Sequence, residues 1–374
     1  MRILHVVPSF GLGGMEKIVC AVINNATNNQ EHAILPLDGC DSALSWITNT
    51  GVQVIEFQKA NSRRSFFFSL YNALRYIQPD LLMTYNWGAT DAIWLGRLAG
   101  ISNIVHHEHG FSVDEGVSTA LHRDLIRSIV YRLVSKIIVV SHELEEILRN
   151  RFRLSESLVT RIPNGIDTSF YSPNEDERQQ MRKSLGYQGS DLVLGFSGRL
   201  DPVKNLDLLL DIFRCSNPRD YPFRLLIVGD GPDRLRLEAR CQTVGFRSYV
   251  KFVGSHEQVL PYLRVMDVFL LTSLREQMPL TVLEAMGVGM PVIATRVGEI
   301  PYIINDGIDG FIRDVAAPVD LFVQPLRSLL CSAKQKRLGD AARKKVVERF
   351  QLKTMVQQYT DLIQEFDNGC SRMS

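Results

Sequence analysis

The sequence lacks the marks of several protein classes. Its six cysteines (Cys20, Cys40, Cys215, Cys241, Cys331 and Cys370) are scattered, with no Cys-x-x-Cys pair. They read as reduced thiols in a cytoplasmic protein, not as a disulfide frame or a zinc site. No apolar run approaches the ~20 residues needed to cross a bilayer. The opening segment MRILHVVPSFGLGG reads as a buried first strand, not a signal peptide. Neither sign of charge dominates: the net charge is +1, so nothing draws the whole chain to nucleic acid or to an anionic membrane. There is no solenoid repeat and no low-complexity tract. What is present is an ordinary globular composition: 374 residues, 45% hydrophobic and 22% charged, long enough for two domains.

Short β-branched apolar runs alternate with segments of helical period. RILHVV (2–7), HAILPL (32–37), VQVIEF (52–57), LLMTY (81–85), NIVHH (103–107) and KIIVVS (136–141) predict strands. A second series follows: LVLGFSG (192–198), RLLIVGDG (224–231), YVKFVGS (249–255), VFLLTS (268–273), PVIATRV (291–297) and GFIRD (310–314). Continuous apolar strands joined by helices imply parallel sheets covered on both faces. Two series imply an α/β chain of two doubly wound, Rossmann-like domains. IPNGIDTSFYSPNEDERQQ (162–180) carries the boundary signals, so the expected domains are 1–166 and 167–352. Ligands in such sheets bind beyond the carboxyl ends of the strands, so the loops there, facing an expected interdomain cleft, carry the functional reading.

The first loop is SFGLGGMEK (9–17). Glycines permit close approach of a ligand, and a following helix start offers free N–H groups. A dinucleotide fingerprint fails here, because Glu16 stands where the third glycine belongs. A tight strand–helix turn with no ligand is the plain alternative. HHEHGFS (106–112) follows the fifth strand. His107 and His109 point one way and Glu108 the other. A metal pair lacks a third ligand, which leaves a structural histidine or a polar contact from His109 to sugar or phosphate.

GRLDPVKN (198–205) places Arg199 and Lys204 on a loop opening a helix. Two cations at a helix start suit a pyrophosphate; two solvated charges are the alternative. In LREQMPLTVLEAMGVGMPVIAT, Glu276 and Glu284 bracket a helix start, with Pro279 expected in its first turn. The N–H groups of Leu280 and Thr281 are ready for a phosphate, and the two acids can grip the hydroxyls of two sugars. Together with Arg199 and Lys204 this favours a nucleotide-sugar site.

GGME (13–16), HEHG (107–110), PNGID (163–167), GRLDPVKN, IVGDGP (227–232), FVGS (252–255) and E-x7-E followed by AMGVGMPVIAT closely resemble family 4 of the retaining glycosyltransferases, which have the GT-B fold. The match spans essentially the whole chain, in order. HGFSVDEG and PSFGLGGME look most like bacterial exopolysaccharide-associated sugar transferases. The resemblance implies that Gly13 and Gly14 approach the donor phosphates and that Arg199 and Lys204 hold the diphosphate as it leaves. Glu276 would bind the donor sugar and Glu284 the ribose. Backbone at Val253 and Gly254 would line the base pocket, and His109 would stand at the reacting centre. The final helix (353–370) would complete the N-terminal domain. No cofactor or metal is expected: the cations and helix N–H groups stabilise the leaving diphosphate, and the anomeric carbon gains oxocarbenium character. No Asp-x-Asp follows an apolar strand. Gln277 and Met278 replace a common small residue and aromatic, and VGEIPYII (297–304) has Glu299 and Tyr302 where Gly-Gly-x-Pro-Glu is common. Both departures bear on sugar identity.

The expected partners are a nucleotide-sugar donor and a saccharide or lipid-linked acceptor, with no nucleic acid. NSRRSFFFSLYNALRY (61–76) sets Arg63 and Arg64 beside Phe66, Phe67 and Phe68. HRDLIRSIVYRLVSK (122–136) sets Arg123 and Arg127 a turn apart, with Ile126, Ile129, Val130 and Leu133 on another face. Such helices either pack in a core or lie on an anionic membrane, which would make the protein membrane-peripheral in the cytoplasm. Other readings remain open: a GT-B-fold nucleotide-sugar epimerase or hydrolase, an inactive partner in polysaccharide assembly, and a two-acid glycosidase.

Overall fold

A computed structural model describes residues 1–57, 62–110, 120–243 and 245–370. The chain forms two compact units, 1–164 with 353–374, and 165–352. Each is a parallel sheet with helices in its crossovers.

Unit 1 holds β1 (Arg2–Val7), β2 (Glu31–Pro36), β3 (Gln53–Val54), β4 (Leu81–Tyr85), β5 (Ile104–Glu108), β6 (Lys136–Val139) and β7 (Val159–Arg161) in the order β3-β2-β1-β4-β5-β6-β7. Between them run α1 (Gly14–Asn24), α2 (Arg63–Ile77), α3 (Asp91–Leu98), α4 (Ala120–Val130) and α5 (His142–Asn150). β1, β4 and the apolar part of β5 are buried on both faces, which is why they read as continuous apolar runs instead of alternating ones. VQVIEF shrinks to the two residues of β3, an exposed edge strand, and the short β7 had no sequence signal of its own. Ser62 caps α2 and Ser141 caps α5, each accepting a backbone N–H at 3.2 Å.

Unit 2 holds β8 (Leu192–Ser197), β9 (Phe223–Val228), β10 (Val250–Gly254), β11 (Val268–Leu271), β12 (Val292–Thr295) and β13 (Gly310–Arg313) in the order β10-β9-β8-β11-β12-β13. Its helices are α6 (Glu175–Ser184), α7 (Leu206–Cys215), α8 (Arg234–Thr243), α9 (Leu260–Val265), α10 (Leu280–Gly287), α11 (Ile300–Ile303), α12 (Asp320–Ser328) and α13 (Ser332–Arg349). α7 buries Leu206, Leu209, Leu210, Ile212 and Phe213 against Leu194, Phe196 and Phe223, each contributing about 2 kcal/mol. The last helix, α14 (Leu352–Cys370), belongs to unit 1, where the Tyr359 ring stacks 5.7 Å from that of His107.

The strand order reverses between β1 and β4 in unit 1, and between β8 and β11 in unit 2. At such switch points neighbouring loops diverge and leave a crevice. In unit 1 these loops are the glycine loop and Asn86–Ala89. In unit 2 they are Gly198–Asn205 and Thr272–Pro279.

Candidate functional site

In unit 2 the two switch-point loops are stitched together by backbone. Leu274 N–H donates to Val203 O at 2.8 Å, and the Thr272 hydroxyl lies 3.0 Å from the carbonyls of both Lys204 and Asn205. Asp201 caps a single 3-10 turn, Pro202–Lys204, through Val203 N–H at 3.1 Å. This delivers Lys204 to Glu276, with Nζ 2.6 Å from Oε1. The buried Ser273 hydroxyl donates to the same oxygen at 2.7 Å. Arg199 stands free of the core, 74% exposed, with Nε 3.7 Å from Asp201 Oδ2. The loop thus holds Lys204 against Glu276 and leaves Arg199 largely exposed beside Asp201.

α10 begins directly after Pro279, which is the N-cap rather than part of the first turn, and which supplies no side-chain acceptor. The N–H groups of Leu280 and Thr281 therefore head the helix with no intrahelical partner, as at any helix start. An anion there meets both the N–H groups and the positive end of the dipole. Glu284 lies further along the helix, 1% exposed, and accepts the Tyr171 hydroxyl at 2.8 Å. Burial, then the neighbouring Glu284 carboxylate, push the Tyr171 phenol well up, so it stays a donor. Neither Tyr171 nor Ser273 was singled out from sequence, because each acts through an acid distant in sequence or hidden in a strand end.

The two departures in this region touch. Glu299 N–H donates to Gln277 O at 2.8 Å. Gly298 has φ +50, and a Cβ there would lie 2.0 Å from Glu276 O. Met278 and Glu299 are buried, while Tyr302 is about half exposed. On the far side of the sheet, the β9–β10 register shifts between Phe252 and Gly254, leaving Val253 out of the ladder. Gly254 has φ +82, with Arg234 3.3 Å from its missing Cβ. Arg234 is held there by Asp230 at 2.6 Å and Glu238 at 3.0 Å.

In unit 1, Gly13 is the extended N-cap of α1 and Gly14 its first residue. The Glu16 carboxylate folds back over Gly13, 2.4 Å from where a Cβ would stand, and burial raises its pKa. His107 and His109 share a face as the strand period requires. The Tyr85 ring stacks 4.4 Å from His107 and 6.3 Å from His109. His107 Nδ1 lies 3.3 Å from Thr84 O, a contact that makes it a donor there. Burial holds His109 at about 4, so its imidazole is neutral at pH 7. Among the described residues no group of three His, Cys, Asp or Glu side chains is placed to hold a metal ion. Glu108, on the opposite face, accepts the Tyr131 hydroxyl at 2.6 Å with Arg127 Nη2 3.9 Å away.

That last contact puts part of 122–136 in the core, one of the two readings its pattern allows. Arg127 is 1% exposed, held beside Glu108 and under the Trp87 ring at 4.8 Å, and is not a surface cation. Val130 is buried, while Ile129 is 59% exposed. In α2, Phe66 packs on Phe57 and Phe67 on Trp94, and Phe68 is left 70% exposed. The FSVDEG stretch after Gly110 lies outside the described residues.

Two family models cover most of the chain: Glycosyltransferase Family 4 matches residues 13–170, and Glycosyl transferases group 1 matches residues 177–345. The chain belongs to glycosyltransferase family 4. This glycosyltransferase is 28% identical over 303 residues to an N-acetyl-alpha-D-glucosaminyl L-malate synthase of Bacillus anthracis, covering 80% of this chain and 73% of that one. It is 27% identical over 303 residues to the UDP-Gal:alpha-D-GlcNAc-diphosphoundecaprenol alpha-1,3-galactosyltransferase of Escherichia coli, covering 79% and 77%. Anabaena HepE, solved with UDP and glucose, superposes with a TM-score of 0.83 at 20% identity over 97% of this chain and 99% of that one. The transferase therefore has the GT-B fold, as the order of its motifs implied.

Proposed function

We propose that the enzyme is a retaining, metal-independent transferase that moves a sugar from a nucleotide-diphosphate donor to a saccharide or lipid-linked acceptor in bacterial glycan assembly. The observation that carries this reading is the Lys204–Glu276 contact of 2.6 Å beside the start of α10. A carboxylate that binds sugar hydroxyls stands next to a cation and a helix start that suit a diphosphate. Arg199 and Lys204, with the N–H groups of Leu280 and Thr281, oppose the charge that gathers as the diphosphate leaves. This is the work a divalent cation would otherwise do. Glu284 takes the ribose, backbone at Val253 and Gly254 the base, and Gly13 and Gly14 the donor phosphates. Neutral His109 donates or accepts a hydrogen bond at the donor sugar without carrying charge.

The acceptor class draws on the Escherichia coli relative, whose name specifies a diphosphoundecaprenol-linked sugar. An acceptor of that kind calls for contact with the inner leaflet. In unit 1, α2 presents Phe68, Tyr76, Arg64 and Arg75, and α4 presents Leu125 and Ile129, all exposed. Apolar side chains among arginines suit an anionic surface.

The test is product analysis. Purified protein is incubated with UDP- and GDP-sugars and a lipid-linked saccharide, with and without EDTA. A glycoside that keeps the donor's anomeric configuration, formed equally in EDTA, supports the reading. Free or epimerised sugar as the sole product moves the assignment to a hydrolase or epimerase.

A further inference from the structure

Asn86 directly follows β4, at the strand-order reversal of unit 1. Two neighbouring segments, the end of β5 and the start of α1, converge on it. Its side-chain Oδ1 accepts the backbone N–H of His109 at 2.8 Å. Its own N–H donates to His107 O at 2.7 Å. Its Nδ2 donates to Met15 Sδ, in the first turn of α1, at 3.3 Å. One side chain thus ties the loop carrying His109 to the helix start that follows the glycine loop.

The backbone makes this costly. Asn86 has φ 55 and ψ 177, a region that glycine occupies freely and side chains rarely enter. If only the turn mattered, glycine would serve better. The next residue but one is a glycine, Gly88, whose missing Cβ would lie 2.7 Å from Pro8 Cβ. The chain thus uses glycine in this turn where space demands it, and keeps an amide at the strained position. Strain retained at a switch-point loop, with the side chain bonded to the backbone of the residue that carries a candidate reacting group, is the pattern of a positioning residue.

We propose that Asn86 is a positioning residue that fixes His109 against the glycine loop. The proposal rests on the placing of His109 at the reacting centre. Asn86 touches no reacting atom itself. It acts by holding the His109 backbone, and a misplacement of about 1 Å costs about 100-fold in rate.

The variants are Asn86→Gly, which accepts the backbone angles and removes the amide, and Asn86→Asp, which keeps the oxygen and loses the donor. Three quantities are read on the full-length protein: melting temperature, hydrogen exchange of the peptide covering 104–110, and turnover of the nucleotide sugar that wild type uses. Asn86→Gly should melt at or above the wild-type temperature, exchange the His109 amide several-fold faster, and lose about 100-fold in kcat with a much smaller change in UDP affinity, since Arg199, Lys204, Leu280 and Thr281, assigned to the diphosphate, lie in unit 2 and only Gly13 and Gly14 adjoin Asn86's contact at Met15. Asn86→Asp should keep the slow exchange, since the oxygen that accepts the His109 N–H remains, but lose several-fold in kcat, since the tie to Met15 is gone. Wild-type exchange and kcat in Asn86→Gly would overturn the proposal. So would a fall in rate that simply follows a lower melting temperature in both variants. A wild type that turns over no nucleotide sugar removes the transferase reading instead, and the exchange comparison then decides the positioning claim alone.

Discussion

Lys204 Nζ lies 2.6 Å from Glu276 Oε1, and the Ser273 hydroxyl reaches the same oxygen at 2.7 Å. Both donors converge on one carboxylate oxygen, which fixes the orientation of the group. The pair is partly exposed, and such pairs contribute little to stability, about 0–1 kcal/mol. Lys204→Ala should therefore leave the melting temperature nearly unchanged and lower kcat by about 100-fold or more, the usual cost of losing one donor to developing negative charge. Steady-state kinetics with a parallel thermal melt check this. A large fall in melting temperature with near-normal kcat would make the pair structural.

Gly298 and Gly289 provide a matched comparison. Both have positive φ, but a Cβ on Gly298 would stand 2.0 Å from Glu276 O, whereas on Gly289 the nearest atom is Pro173 Cγ at 3.6 Å. Both alanine variants pay backbone strain of about 1–3 kcal/mol. Only Gly298→Ala also displaces the Glu276–Gln277 loop, so only it should raise the KM for donor. Equal KM values in the two variants would separate this loop from donor binding.

Buried histidines set the pH response. Burial depresses His5 and His107 well below the ordinary value, His32 and His109 to about 4, and His106 to about 3. The unfolded chain therefore binds protons near pH 6.5 that the folded chain refuses. Stability should be full above that pH and fall as pH drops from about 6.5 toward 4, by about 1.4 kcal/mol per unit of depression for each ring. Urea titrations between pH 4 and 8 measure it. His109 stays neutral throughout the usual assay range, so the rate should show no inflection from it near pH 6.5; an inflection abolished in His109→Ala would contradict the assignment.

The exposed apolar side chains of α2 and of α4 predict salt-sensitive binding to anionic vesicles. Cosedimentation with phosphatidylglycerol vesicles should occur at low salt and weaken at high salt. Phe68→Asp should reduce it without lowering the melting temperature, since Phe68 is 70% exposed. Absence of binding at low salt would confine the enzyme to soluble acceptors.

The sheets were legible because their central strands are buried on both faces, and the site loops because glycine, proline and paired cations punctuate strand ends. VQVIEF misled because its alternation suits an edge of any length, and only Gln53 and Val54 find a partner. Arg127 stayed ambiguous for a different reason. Whether an arginine on an amphipathic helix faces water depends on a partner, here Glu108 on another strand, which periodicity does not reveal. Asn86 passed unmarked because its role lies in a strained backbone angle and three contacts, none of which leaves a pattern along the chain.

The most direct measurement is the thermal shift of the protein with UDP, GDP and ADP, with and without EDTA, in wild type and Glu284→Ala. Ligand that binds only the folded state raises the melting temperature. One diphosphate stabilising wild type equally in EDTA, and weakened in Glu284→Ala, is the predicted result. No shift with any of the three in wild type would contradict a working donor site, and the Gln277–Glu299 contact would be the first place to look for its loss.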